Sequence, residues 1–106
     1  MFGKNKNNTM KKNSMDKELA DTILAKLSSI RILFESDSNK LKSIDELIDK
    51  YKYINYGPKN EVIKIDEKNS NLLDDFKEDA IRGISDDDFN KYILKIKMNI
   101  TDRERY

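Results

Sequence analysis

Between Leu19 and Phe34 the apolar residues Leu19, Ile23, Leu24, Leu27, Ile30 and Phe34 recur at helical spacing. No other stretch constrains the fold as tightly, because an amphipathic helix with one apolar face must have that face covered. Ser14 supplies an N-cap ahead of it, and Asp16 and Glu18 suit the positive end of the helix dipole. Ser28-Ser29 is the point where the helix would divide, since serine side chains compete for backbone hydrogen bonds.

The cover has to come from a small stock of residues. Nine Leu, thirteen Ile, one Val and four Phe make about a quarter of the 106 residues, above the roughly one-fifth level at which disorder is expected. A chain of this length supports one domain. It holds no Cys and no His, which removes disulfide frameworks, thiolate chemistry, an imidazole base and ordinary zinc sites. No run approaches the roughly 18 apolar residues of a membrane span, and no apolar signal core follows the basic start. The expectation is a soluble cytoplasmic protein without a cofactor, a small-molecule substrate or a membrane partner.

The formal net charge of +1 conceals an uneven distribution. Residues 1–13 hold Lys4, Lys6, Lys11 and Lys12 and no acid, and this Asn/Lys-rich stretch lacks apolar periodicity, so it reads as a disordered basic tail. Residues 14–39 sum to −2, residues 40–69 to +1 and residues 70–97 to −2. The ordered domain is expected over 14–106.

Beyond the first helix, SDSNK at 36–40 reads as a loop, and Ser43-Ile44-Asp45-Glu46 has the form of a capping box opening a short helix to about Tyr51. YKYINY and EVIKID are β-branched or aromatic runs around Gly57-Pro58-Lys59-Asn60, which predicts a β-hairpin with strands near 51–56 and 61–66. Asn69 or Ser70 would cap a third helix carrying Leu72, Leu73, Phe76, Ala80 and Ile81 and ending at Gly83. Ser85 followed by Asp86, Asp87 and Asp88 opens a last helix with Phe89, Tyr92, Ile93, Ile96 and Ile100 inward. LKIKMNI also alternates with period two, but the aspartates at the start favour the helix. The expected core comprises Leu24, Leu27, Ile30, Leu47, Phe76, Phe89 and Ile93.

From Asp45 to Phe76 the chain resembles the back half of a winged helix-turn-helix domain. DELIDKY stands where the recognition helix would be, KYINYGPKNEVIKID looks like the wing, and NSNLLDDFKEDAI looks like the closing helix. The resemblance covers about half the chain and rests on element order. Small size and Lys, Asn, Ile and Asp usage typical of low-GC genomes make it similar to the TcpK-type relaxosome accessory proteins of clostridial conjugative plasmids. It implies an α+β fold, a small winged-helix-like domain with a hairpin wing and two C-terminal helices, serving a mobile element as a DNA-binding factor.

The hairpin also has a physical claim to DNA. Residues 50–64 are net +3, and Lys50, Lys52, Tyr53, Tyr56, Lys59, Asn60 and Lys64 are the expected contacts, because lysines neutralise phosphates while Asn and Tyr reach phosphate oxygens or base edges. Lys40, Lys42 and the tail residues Lys11 and Lys12 would flank them. Duplex DNA is the expected partner, and a homodimer would match two half-sites. The bland alternative is a solvated edge hairpin whose lysines prevent strand pairing.

Other patterns carry less. In AIRGISDDDFNKYI, a stretch with the look of a helix-turn-helix or ribbon-helix-helix joint, three aspartates would face phosphate and repel it, so a capped helical hairpin is expected there. Glu35, Asp37, Asn39 and Glu46 fall at calcium-loop positions, but Lys40 stands where the loop needs Gly. Asp74, Asp75, Glu78 and Asp79 read as a solvated face, and enzyme is the least expected class. The rival to DNA binding is a protein–protein interaction module, an adaptor or inhibitor that presents the acidic C-terminal helices.

Overall fold

The computed structural model describes the backbone of residues 2–53 and 59–104 and the side chains within 17–53 and 60–104. Four helices follow one another: α1 (Phe2–Leu33), α2 (Ser38–Tyr53), α3 (Lys59–Arg82) and α4 (Asp86–Glu104). Among the described residues there is no strand.

The apolar stripe of α1 holds as one uninterrupted helix, with Ile23, Leu27 and Ile30 fully buried and Ser28-Ser29 causing no break. Helical backbone also runs through residues 2–13, where the composition predicts none. The first turn of α2 is capped earlier than the Ser43 pattern suggests: the Asp37 carboxylate accepts from the amides of Asn39 and Lys40, both at 3.2 Å. Ser43 is an interior residue whose hydroxyl donates to the Asn39 carbonyl. At the other junction the expectations are met. Gly83 has φ +100°, the left-handed geometry of a helix C-cap. The Ser85 hydroxyl accepts from the Asp88 amide at 3.2 Å and starts α4, which takes LKIKMNI as helix.

The hairpin is the main correction, and with it the α+β class and the winged-helix resemblance fall. Tyr51 to Tyr53 end α2, and EVIKID lies inside α3, in a helix continuous from Lys59 to Arg82. Gly57 and Pro58, the expected turn, lie outside the described residues. The buried positions of α3 are Val62, Asp66, Asn69, Ser70, Leu73 and Phe76, which is helical spacing with polar residues in the middle of the stripe. Those polar residues hid the 3.6-residue period. What remained visible in EVIKID was β-branched propensity, a preference that burial readily overrides. Asn69 and Ser70, expected as caps, are therefore core positions of the helix.

Cross-helix contacts fix the arrangement. Arg31 pairs with Asp45 at 2.7 Å across the α1–α2 turn, so those helices run antiparallel. On α2 and α4, Lys40–Asp86, Glu46–Lys97 and Lys50–Glu104 ascend together, which makes that pair parallel. Asp79–Tyr92, Asn69–Asn99 and Asp66–Arg103 run in opposite order, so α3 and α4 form an antiparallel hairpin. Lys26 of α1 reaches Ser70 and Asp74 of α3, completing a four-helix bundle with α2 diagonal to α3. Ile23, Leu27, Ile30, Ile44, Leu47, Leu73, Phe76, Phe89, Ile93, Ile96 and Ile100 fill its centre. Every residue of the expected core is in this cluster or packed on it, Leu24 being the partly buried one. No helix among the described residues is long and apolar enough to cross a membrane.

Candidate functional site

The residues expected to meet DNA are distributed over the bundle, not gathered on a ribbon. Lys40, Lys42, Lys50, Lys52 and Tyr53 belong to α2, while Lys59, Asn60 and Lys64 belong to α3. Tyr56 and the side chains of Lys11, Lys12 and Lys59 lie outside the described residues. Lys40 is committed to structure. Its ammonium lies 2.7 Å from Asp86 and about equally far from the Phe34 and Phe89 rings, at 5.6 and 5.5 Å, and the hydrogen bond to Asp86 raises its pKa. Lys50 pairs with Glu104 at 3.6 Å. Lys52, Tyr53, Asn60 and Lys64 are exposed, Tyr53 by 81%. Because Tyr51 of α2 meets Asp66 of α3, these exposed groups share one end of the bundle.

The opposite end is acidic. Residues 71–93, the facing halves of α3 and α4, hold seven carboxylates against Lys77, Arg82 and Lys91. Asp74 is held by Lys26 and Asp86 by Lys40, whereas Asp75, Glu78, Asp87 and Asp88 are exposed and have no ion-pair partner among the described residues. Asp75, Asp79 and Asp88 line a surface cleft of about 270 Å³ together with Leu72, Lys91, Tyr92 and Lys95. Within it the Tyr92 hydroxyl donates to Asp79, and that bond, with burial and the fields of Asp79, Asp75 and Asp88, pushes the phenol up to about 12. No group of three or more acidic side chains among the described residues is arranged to hold a metal ion.

Sequence reasoning missed a third feature, a polar cluster inside the bundle. Asn69 donates to the Tyr51 hydroxyl at 2.6 Å, Asn99 donates to Asn69 at 2.7 Å, and Tyr51 donates to Asp66 at 3.4 Å. Arg103 lies 3.4 Å from Asp66 with its guanidinium 5.5 Å from the Tyr51 ring centre, and Arg103, Asp66 and Asn69 are at most 1% exposed. Burial pushes the Tyr51 phenol well above its ordinary range. The cluster ties α2, α3 and α4 together. The one signal that could have found it is that Asp66, Asn69 and Ser70 extend the Leu73–Phe76 stripe at helical spacing.

Compared with known protein families, with curated proteins and with solved structures, the chain matches none. Neither the winged-helix family nor the relaxosome accessory proteins find support there, and a continuous helix occupies the place of the second wing strand.

Proposed function

We propose that the chain is a protein–protein interaction module, an adaptor or inhibitor, that holds a basic partner on its acidic surface. The observation that carries this reading is the set of exposed carboxylates Asp75, Glu78, Asp87 and Asp88 on the α3–α4 hairpin, which have no ion-pair partner among the described residues, while basic groups such as Lys26, Arg31, Lys40, Lys50 and Lys97 are used in internal ion pairs. Such a field attracts cationic partners and speeds their association, more so at low salt. The bundle holds these groups on rigid helices. No step of chemistry is needed. Proximity labelling in cells that make the protein tests the reading: a partner recovered with the wild type should be lost with Asp75→Lys, Glu78→Lys, Asp87→Lys, Asp88→Lys combined, and an unchanged set of partners sinks it.

Duplex DNA is the second reading, favoured by the exposure of Lys52, Tyr53 and Lys64 at the end opposite the acidic one. Contact would come from helix ends, and a gel-shift series over salt tests it. Each lysine on a phosphate contributes about 0.9 to the slope of log affinity against log salt, so Lys52→Ala and Lys64→Ala should each flatten it by about that much. Light scattering with and without DNA shows whether two copies are involved.

A further inference from the structure

We propose that the seam between α1 and α3 is a docking groove for one helix of the partner, a basic amphipathic helix of about 18 residues. The inference rests on the interaction-module reading and extends it: it adds a seat on the neighbouring face, which shares Glu78 with the acidic α3–α4 surface, and names the chemistry of the occupant.

The seam is built from two parallel helices in fixed register. At one end Leu19 and Thr22 of α1 and Ile63 of α3 line a cleft of about 290 Å³. Midway, Lys26 crosses to the Ser70 hydroxyl at 2.7 Å and to Asp74 at 2.9 Å. Seven residues further along each helix stand Leu33 and Ile81. Seven residues make almost two full turns, so both return to the side of the seam that Lys26 and Asp74 occupy. Leu33 is 42% and Ile81 65% exposed, the latter among the most exposed large apolar side chains described. From Ile63 to Ile81 the seam is about 27 Å long at 1.5 Å per residue, the length of a helix of about 18 residues.

Charge selects the occupant. Glu18 and Glu67 stand at the cleft, both exposed and neither with an ion-pair partner among the described residues, and Glu78 is exposed nearer the other end. Lys26, at the middle, is neutralised by Asp74, and Lys77 is an exposed cation on the same side of α3, so Glu18, Glu67 and Glu78 still outnumber it along the seam. A helix with Leu or Ile at i, i+3, i+4 and i+7 and with Lys or Arg beside them would bury Ile63, Leu33 and Ile81 and pair with the glutamates. An acidic helix would meet like charge along one edge.

The test uses the full chain and a defined probe, an amphipathic Leu/Lys peptide of about 18 residues, with the same peptide carrying Glu for Lys as the control. Amide shift changes along α1 and α3 are expected with the Lys peptide and none with the Glu peptide. Ile81→Ser should weaken binding severalfold, Ile63→Ser with Ile81→Ser about tenfold or more, and Glu18→Lys with Glu67→Lys about tenfold. Leu94→Ser with Met98→Ser, on an exposed face of α4, should leave affinity unchanged. Ile81 is exposed enough for its variant to fold, which melting curves verify. If the peptide binds and the seam variants change nothing while the combined Asp75, Glu78, Asp87 and Asp88 reversal releases it, the groove is wrong and the interaction-module reading stands. If no basic peptide binds at low salt, both fall.

Discussion

The two ends of the bundle solve the same packing problem with opposite chemistry. At the α1–α2 turn end Phe34, Phe76, Phe89 and Tyr92 pack ring on ring: Phe34 against Phe89 and Phe76 against Phe89 edge-on at 5.0 and 5.4 Å, and Phe76 stacked on Tyr92 at 4.9 Å. At the other end Tyr51, Asp66, Asn69, Asn99 and Arg103 meet through hydrogen bonds and a buried ion pair. The aromatic end draws stability from area removed from water, which tolerates some adjustment of shape. The polar end must recover the desolvation of a guanidinium and a carboxylate through geometry, so each partner depends on the others. One end supplies adhesion, and the other specifies which helix faces which.

The sharpest way to break that comparison is to damage each end and then attempt repair. Phe76→Ala should cost about 3 to 5 kcal/mol in urea unfolding, since Phe76 is fully buried and its neighbours can close the cavity only in part. Arg103→Met should cost a similar amount, about 3 to 5 kcal/mol, because Asp66 keeps its charge without the guanidinium beside it. The repair distinguishes them. Adding Asp66→Leu to Arg103→Met removes the stranded charge and should recover most of the loss, with broader amide signals as the sign of a less specified core. No second truncation can rescue Phe76→Ala. If both single variants melt like the wild type, the contrast between the ends does not exist.

The same contrast explains what could be read from the chain. The α1 stripe, the Gly83 cap, the Ser85–Asp88 start of α4 and the core residues Leu27, Ile30, Leu47, Phe76, Phe89 and Ile93 were legible because apolar periodicity and capping chemistry are local. The first half of α3 was not, since Asp66, Asn69 and Ser70 occupy buried positions and so look like solvent-facing or capping residues. Their burial depends on Tyr51 and Arg103, which arrive from other helices. The acidic surface was visible as composition. That Lys40 and Lys50 are held by Asp86 and Glu104 was not, because those pairs span more than forty residues of sequence.

A smaller effect separates the ends by pH. The Tyr92 phenol donates to the Asp79 carboxylate, and its pKa in the folded chain is raised to about 12. A neutral donor with a raised pKa stabilises the fold fully below the ordinary value near 10 and loses that contribution as pH rises through the folded value. Tyr92→Phe should therefore flatten the fall in melting temperature across that alkaline window and remove an absorbance step at about 12. Tyr92 is partly exposed, so solvent screening keeps the effect modest.

The smallest expected effect concerns the start of the chain. Helical backbone covers residues 2–13, yet that stretch has no acid to pair with its four lysines, no repeated apolar face, and four Asn, residues of modest helix propensity. In the described part, the α1 contribution to the core begins at Leu19. A helix without an apolar face to dock gains little beyond its own hydrogen bonds and frays at its end. Deletion of residues 1–13 should leave the melting temperature unchanged, and their heteronuclear NOE values should fall below those of Ile23 to Leu33. A clear drop in melting temperature would mean that this segment packs on the bundle and extends the polar-core end, shifting the balance between the two ends toward the one that depends on charge.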